Sequence, residues 1–418
     1  MKKTLAESSP CLSFSSLCLF ITVFLVGFGQ LQRIQLTNQV AFYAHDLFII
    51  LFILTISITS IAKYKKNNIV SPKSLFQRWK SLLMFLVWSV GGLLVNQAIA
   101  GFAIMPWLYL VRLFTYLLFA FSLFIFSSSG ECQKKSLRFS FWLLSLLILA
   151  IGFFQYLFIP DLRFLGSQGW DVHYFRLAGN MLDPNFTGML LINILITFSL
   201  TKLLSCRSRL QLGLVFIIAL ALTYSRSSYL ALLMVVLTSL IIKLWRHSKS
   251  SAQSFRPVNK LLSFYLLALV ILIPFLPKPG GLGVELTRSE TIRSRAEVNE
   301  SVISEIKISD LLIGNGLFTP TVNLEQTNAI VHTKFPDNLI VFLLSGAGLP
   351  GLGLFATFMI GEFSRFIKNR KYLSLSLLTG ALTHSMFNLT ILEPINLLVL
   401  IICLQTAHFF STQEKTAS

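Results

Sequence analysis

Polar side chains whose chemistry suits an anionic ligand occur in three short segments of this otherwise apolar chain. The segments are FRLAGNMLDPNFTG, then TYSRSS at 223–228, then a stretch leading through Gly314-Asn315-Gly316 to Gly346-Ala-Gly348-Leu-Pro-Gly351. Their candidate functional residues are Arg176 and Asn185, then Arg226, then Arg295, His332, Asp337 and Asn338. Arginine side chains pair two phosphate oxygens at once and are not deprotonated, so they suit a diphosphate group. A carboxylate or an imidazole beside them could accept a proton from an attacking hydroxyl group.

The first segment also has a structural interpretation. Asp183 followed by Pro184 matches the start of a helix, where Asp accepts backbone N–H groups and Pro suits the first turn. This interpretation explains Asp183 and Pro184. It does not explain Arg176 and Asn185 beside them, which therefore stay candidates for binding.

The other two segments leave alternatives open. Arg226 lies between two apolar runs, and moving a charge to the bilayer centre costs about 3 kcal/mol. It therefore either extends to the lipid headgroups or faces a polar cavity. Asp337 either accepts a proton or caps the apolar run that follows it. The glycines, taken singly, are explained better by close helix packing in a membrane.

The elements that must position these residues are membrane helices. The chain has 418 residues, of which 54% are hydrophobic and only 12% are charged. Soluble domains carry about 25% charged residues, so water cannot be the only solvent here. The formal net charge of +18 would suggest nucleic acid in a soluble protein. Here the basic residues cluster between apolar runs, as orientation signals do, and no nucleic-acid partner is expected.

The sequence predicts about twelve apolar runs, each able to cross a hydrocarbon core of about 30 Å. They lie near 11–29, 42–62, 81–101, 107–127, 139–159, 186–204, 210–225, 228–245, 261–276, 338–360, 372–390 and 394–411. We therefore predict an all-α polytopic membrane protein in which residues 1–418 form a single membrane domain.

Lysine and arginine indicate the orientation of this domain. Most of the 35 lysines and arginines lie at the two chain ends and in alternate loops. By the positive-inside rule, these segments and both termini are cytoplasmic. Residues 160–185 and the large loop 277–336 then face outward, into the periplasm of a bacterial cytoplasmic membrane. In the large loop, helical spacing predicts an amphipathic surface helix whose apolar face carries Ile292, Ala296, Val302, Ile303 and Ile306.

Glycosyl transfer from a lipid-diphosphate donor is the chemistry that this inventory predicts. A lipid diphosphate carries its charge at the headgroup level, where Arg226 and the loop arginines are expected. The chain contains no Asp-x-Asp sequence, so metal-assisted activation of the diphosphate is not expected and arginine must stabilise the leaving group. We predict neither a metal nor a cofactor. The five cysteines are placed in spans or on the cytoplasmic side, and no structural disulfide is expected.

At these residues the chain resembles the O-antigen ligase and O-antigen polymerase superfamily. TYSRSS before an apolar helix resembles that family's outer-face Ser-Arg-Ser element, and Arg295 before Gly314-x-Gly316 resembles its loop arginine. Asn338 followed by Gly348-Leu-Pro-Gly351 resembles its segment that re-enters the membrane. The resemblance covers roughly residues 160–360, and Gly179 to Gly188 also resembles the family's Gly…Pro-Asn segment.

The resemblance implies a GT-C-like, metal-independent, inverting glycosyltransferase that acts on a glycan carried by undecaprenyl diphosphate. Ligases of this family carry a histidine just before the Asn, and here that position is Asp337, with His332 the nearest histidine. This departure favours a polymerase, which extends another lipid-linked repeat unit, over a ligase, which transfers the glycan to lipid A-core. Arg226 and Arg295, with Arg176, would hold the diphosphate, and Asp337 or His332 would serve the acceptor hydroxyl.

Two other functional classes remain as alternatives. One is a transporter of polysaccharide, lipid or small anions, although transporters usually place ionisable residues near the membrane midplane in related halves. This chain shows no repeat, and its long outward loop fits an enzyme better. The other is a non-catalytic subunit that binds other polysaccharide-assembly proteins in the membrane.

Overall fold

The computed structural model describes residues 13–36, 40–64, 72–201, 203–246, 256–280, 282–322 and 335–410. These residues form an all-α bundle with one small antiparallel hairpin, β1 (Arg33–Gln35) and β2 (Ala41–Tyr43). His332, one of the two predicted proton acceptors, lies outside the described residues.

Fourteen α-helices follow one another along the described chain. They are α1 (Phe14–Phe28), α2 (Ala44–Tyr64), α3 (Pro72–Ala100), α4 (Ile104–Ser128), α5 (Glu131–Phe158), α6 (Pro184–Leu200), α7 (Cys206–Leu222), α8 (Arg226–Arg246), α9 (Arg256–Leu272), α10 (Glu290–Glu305), α11 (Ile308–Leu312), α12 (Leu339–Lys368), α13 (Tyr372–Ser385) and α14 (Pro394–Phe410). Short 3-10 turns lie at Gly29–Gln32, Arg163–Gln168, Gly179–Met181, Ile273–Phe275 and Leu282–Val284.

The chain is a membrane-embedded protein by the length and composition of its helices. Six helices among the described residues are long and apolar enough to cross a membrane. They lie at Phe14–Gln32, Trp79–Ala100, Ile104–Ser128, Glu131–Phe158, Arg226–Leu244 and Leu339–Lys368. Shorter apolar helices lie at Ala44–Ser60, Pro184–Ser199, Lys260–Phe275 and Pro394–Phe410. Each predicted run coincides with a helix, but the twelve-span layout stays a prediction.

The core of the bundle is built around α6. Residues 187–199 of this helix are all buried, as expected for a helix that is apolar on every side. Helices α7, α13 and α14 pack directly against α6, while α1 packs on α2 and α5, and α3 packs on α12. The outer faces carry large exposed apolar side chains, among them Val87, Ile99 and Leu244, as a lipid-facing surface requires.

Two helix starts are fixed by side-chain caps. The Asp183 carboxylate accepts the backbone N–H groups of Asn185 and Phe186, at 2.6 and 3.0 Å, and so starts α6 as the sequence predicts. At α12 the cap is Asn338, whose Oδ1 accepts from Ile340 N at 2.8 Å. The alternative in which Asp337 caps this helix is therefore wrong, and its carboxylate is left for other contacts.

Helix α12 is broken at Gly348, where φ is 67° and ψ is −175°. A Cβ atom at this position would lie 2.9 Å from the Leu311 carbonyl oxygen, so only glycine lets α11 approach. The Gly314-x-Gly316 turn docks at the same place, with Asn315 N donating to Ser345 O at 2.8 Å. These glycines therefore hold the large loop against the helix that follows it.

The predicted helix in the large loop is present as α10, and its apolar face is confirmed only in part. Val302, expected on that face, is buried together with Val298, and the two cluster with Val322 and Val341. Ile292 and Ile303, also expected there, are 61% and 51% exposed. Apolar spacing alone therefore does not determine which face packs on α12.

One expectation about cysteine is also wrong. Cys132, at the start of α5, is disulfide-bonded, and its partner lies outside the described residues. Cys18, Cys206 and Cys403 are free. The expectation rested on the redox compartment alone.

Candidate functional site

The turn between α7 and α8, Thr223–Ser228, is the centre of the candidate site. Ser225 Oγ donates to Asn185 Oδ1 at 3.0 Å, which ties the turn to the start of α6. Ser228 Oγ donates to Ser225 Oγ at 2.8 Å. The serines of the TYSRSS motif thus form hydrogen bonds within the bundle. Arg226, which lies between them in the sequence, extends toward the loops.

Three arginines bind main-chain carbonyl groups around this turn. Arg176 Nε donates to Thr223 O at 2.9 Å. Arg226 donates to the carbonyl groups of Leu286 and Arg288. Arg288 in turn donates to Gly283 O at 2.7 Å and to Tyr224 O at 3.4 Å. Arg226 therefore contacts the segment between α9 and α10.

The arginines act on one another electrostatically. Burial, with repulsion from Arg288, lowers the pKa of Arg176 to about 9. Burial, with repulsion from Arg226 and Arg295, lowers the pKa of Arg288 to about 10. Carbonyl oxygens carry no formal charge, so the cluster of Arg176, Arg226, Arg288 and Arg295, here called the arginine cluster, keeps an excess of positive charge. Such a cluster favours an anionic ligand.

Arg295 is the arginine that pairs with a carboxylate. Its Nε lies 3.1 Å from Asp337 Oδ2, and its second terminal nitrogen donates to Asn388 Oδ1 at 2.7 Å. Asn388 Nδ2 donates to Ser227 Oγ at 2.9 Å. Arg295 of α10 and Asn388 thereby link Asp337, the candidate proton acceptor, to the central turn Thr223–Ser228.

Asp337 has the properties of a proton acceptor near neutral pH. Burial raises the pKa of its carboxyl group to about 6, against the opposing effect of the Arg295 charge. Its side chain remains 26% exposed, so a hydroxyl group of a ligand could reach it. A carboxylate with a pKa near the ambient pH combines sufficient ionisation with useful basicity.

His384 is a part of the site that sequence reasoning missed. Its ring is fully buried at the end of α13, with Nε2 3.1 Å from both Ser227 Oγ and Ser228 Oγ. The signal available in the sequence is the polar run Thr383-His384-Ser385 at the end of an apolar helix, followed by Asn388 and Thr390. Its contacts with two motif serines indicate a positioning role beneath the arginine cluster.

Of the other predicted residues, Asn185 and Asn338 lie at the starts of α6 and α12. Asn185 accepts from Ser225, and the Asn338 carboxamide is used for its cap and for a 3.1 Å bond to Met386 O. The structure thus brings Arg176, Asn185, Arg226, Arg295, Asp337 and Asn338 to one end of the bundle. Arg288, two residues before α10, joins them.

One group of side chains beside the site could hold a metal ion. Ligand atoms of Asp171, His173 and Asp183 all lie within 4.8 Å of one another. His173 is buried, and its Nε2 lies 3.7 Å from Asp183 Oδ2, too far for a hydrogen bond. These three residues do not form an Asp-x-Asp sequence, because Asp171 and His173 lie in a loop and Asp183 lies at the cap of α6. Asp183 caps α6 through Oδ1, and its Oδ2 is the oxygen that faces His173.

Comparisons of this chain with protein-family models and with curated proteins gave no match.

Proposed function

We propose that the protein is a metal-independent, inverting glycosyltransferase of surface-polysaccharide or O-antigen biosynthesis. Its donor would be a glycan linked to a polyprenyl diphosphate, with undecaprenyl diphosphate as the carrier, at the periplasmic face of a bacterial cytoplasmic membrane. The proposal includes a GT-C-like arrangement of about twelve spans with both termini in the cytoplasm.

The observation that carries the proposal is the arginine cluster with one carboxylate at its edge. Arg176, Arg226 and Arg288 donate to main-chain carbonyl groups, which carry no formal charge, so the cluster keeps a net positive charge. Asp337 is the carboxylate paired with Arg295. Guanidinium groups suit the two phosphates of a diphosphate, and a cluster of them replaces the divalent cation that many glycosyltransferases use.

The reaction that we propose is a single displacement. Asp337 accepts the proton of an acceptor hydroxyl group, and the oxygen attacks the anomeric carbon of the donor sugar. A new glycosidic C–O bond forms while the C–O bond to the diphosphate breaks, so the configuration inverts. The electron pair of the broken bond remains on the diphosphate, where the arginines neutralise the charge that develops.

We propose a polymerase in preference to a ligase. The family's ligases use a histidine at the position of Asp337, and in this chain that position carries the carboxylate paired with Arg295. The acceptor would then be a second lipid-linked repeat unit. In the ligase alternative, it would be lipid A-core.

The experiment that tests the function uses a deletion strain complemented with wild type, Arg226→Ala, Arg295→Ala and Asp337→Ala. Lipopolysaccharide and the lipid-linked intermediates are then compared. A core bearing one repeat unit without a ladder supports the polymerase, and a bare core with long glycan retained on the carrier supports the ligase. An unchanged ladder, with full complementation by the arginine variants, would refute glycosyl transfer. A transport assay in liposomes would then be the next measurement.

A further inference from the structure

A polar cavity lies at the same end of the bundle as the arginine cluster but apart from it. Its volume is about 220 Å³, and it is enclosed by the hairpin, α4, the 160–183 loop and the start of α14. Drug-sized ligands occupy pockets of roughly 300 Å³ or more, so this cavity suits a smaller unit such as one sugar ring.

The register of the β1–β2 hairpin places two polar side chains of the cavity lining together. Arg33 and Tyr43 are directly opposite in the β1–β2 ladder, so both side chains project on the same face and both line the cavity. Tyr43 OH donates to Gln30 Oε1 at 2.8 Å, and Gln30 Nε2 lies 3.3 Å from Glu393 Oε1. One wall of the cavity thus presents a phenol, an amide and a carboxylate, which can donate to and accept from sugar hydroxyl groups.

Aromatic rings form the other walls. Trp170 and Tyr109 line the cavity together with Tyr43. The Arg33 guanidinium lies 5.4 Å from the Trp170 ring centre, and that of Arg112 lies 4.9 Å from the Tyr43 ring centre. Rings with a flat apolar face beside hydrogen-bonding groups suit a pyranose, which has both an apolar C–H face and a rim of hydroxyl groups.

A network of ion pairs and hydrogen bonds holds Arg112, which lines the cavity. Arg112 pairs with Asp46 at 3.0 Å, and Tyr116 OH donates to the same carboxylate at 2.7 Å. His45 Nε2 lies 2.8 Å from the Tyr116 hydroxyl oxygen. Here the network holds the Arg112 guanidinium in one orientation at the cavity.

The cavity is connected to the proton acceptor by stacked rings. Tyr109 stacks on Phe318 with centres 5.3 Å apart and contacts the edge of Phe335 at 6.1 Å. Phe335 precedes Asp337 by two residues. A residue that lines the cavity thus contacts the segment that precedes Asp337.

We propose that this cavity is a saccharide subsite that binds one pyranose unit of the acceptor glycan. The inference rests on the proposed function, since it assigns the acceptor. Trp170 and Tyr109 contact the face of the ring, while Glu393, Gln30 and Arg112 bind its hydroxyl groups.

The test has two readouts on the full-length protein in lipid nanodiscs. The first is saturation-transfer NMR with a panel of methyl pyranosides, which needs no catalysis. The second is the KM for the acceptor and for the donor in a transfer assay. The variants are Trp170→Ala and Glu393→Gln, compared with Trp170→Phe. The control is Phe164→Ala, a 59% exposed aromatic residue in the same loop that does not line the cavity.

Trp170→Ala and Glu393→Gln should each weaken the pyranoside signal and raise the acceptor KM about tenfold, with the donor KM and kcat little changed. Trp170→Phe and Phe164→Ala should stay close to wild type. An unchanged signal and acceptor KM in both test variants would refute the subsite, and a raised donor KM alone would refute its assignment to the acceptor. Pyranoside binding that depends on Trp170 in a protein without transferase activity would retain the subsite and reject the proposed function.

Discussion

Arg295 Nε lies 3.1 Å from Asp337 Oδ2, although a helix and the remainder of a long loop separate the two residues in the chain. The same guanidinium also binds Asn388, which binds Ser227 of the central turn. This one side chain therefore links the carboxylate to the turn that carries Arg226. The pair is the feature on which the proposed mechanism depends most directly.

Removal of this link should cost activity without loss of the fold. Arg295→Ala is expected to lower kcat for glycosyl transfer by about a hundredfold or more, because one of the groups that neutralise the leaving diphosphate is lost. Arg293→Ala is the matched control in the same helix, since the Arg293 side chain is 84% exposed and pairs with Glu297. Initial rates with purified protein check the prediction, and equal rates for the two variants would contradict it.

The pH dependence of the rate should report the ionisation of Asp337. Because burial raises its pKa to about 6, the carboxylate is protonated and inactive as a base below that pH. The kcat/KM is therefore expected to fall about tenfold for each pH unit below 6 and to level off above it. Asp337→Asn should lower the plateau and remove this acidic limb. An acidic limb that persists in the variant would assign the titration to another group.

Asn388 should act through Arg295. Asn388→Leu keeps the branching of the side chain but enlarges it and removes the bonds to Arg295 and Ser227, at 2.7 and 2.9 Å in the wild type. We expect the donor KM to rise about tenfold, since the guanidinium loses its fixed orientation, with the pH profile unchanged. Asn388→Asp, which keeps an acceptor for Arg295, should recover part of the loss. A shifted pH profile in Asn388→Leu would argue against a positioning role.

The break in α12 should be intolerant of any side chain. At Gly348 the φ of 67° and the approach of the Leu311 carbonyl both exclude a Cβ atom. Gly348→Ala is expected to destabilise the protein by about 2 kcal/mol or more. Gly353→Ala lies in the same helix, where nothing is within 4 Å of an added Cβ atom, and it should be neutral or slightly stabilising. Thermal unfolding in detergent compares the two, and equal midpoints would contradict the prediction.

Glycosyl transfer should persist in a metal chelator. The arginine cluster supplies the positive charge that a divalent cation would otherwise supply, so EDTA is expected to change the rate by less than about twofold. In the metal-dependent alternative, Asp171, His173 and Asp183 are the candidate ligands. Activity that EDTA abolishes and Mn²⁺ restores in wild type, but not in His173→Ala, would assign a catalytic metal to these residues and refute metal independence.

Much of the helical framework could be predicted because a membrane helix is specified locally. Each predicted apolar run coincides with a helix, and Asp183 caps α6 as its sequence indicates. The outward loop contains a helix where spacing predicts one, but its buried residues are Val298 and Val302, while Ile292 is exposed. Spacing identifies a helix, whereas the face that becomes buried depends on the neighbour that the loop docks against.

Some residues of the candidate site could be identified from the sequence and others could not. Arg226 could be selected because an arginine at the end of an apolar run is costly and therefore informative, and Arg295 because it resembles the loop arginine of the ligase and polymerase superfamily. His384 could not be selected in this way, since its importance comes from contacts with Ser227 and Ser228, which are distant in the chain. A buried histidine in an apolar helix has no local signal that separates a structural role from a functional one.

By itself the sequence determined that the protein lies in a membrane, where its helices run and which end of the bundle collects polar residues, because hydrophobicity, caps and charge act over a few residues. Only the tertiary structure decided that Arg288 joins the arginine cluster, that Asn338 and not Asp337 caps α12, and that Asp337 pairs with Arg295. The positions of Arg288 and Asp337 depend on how segments far apart in the chain pack together, whereas the Asn338 cap depends on the backbone at the start of α12. That packing is set by shape and by glycine-permitted close approach, as at Gly348, which no local pattern encodes.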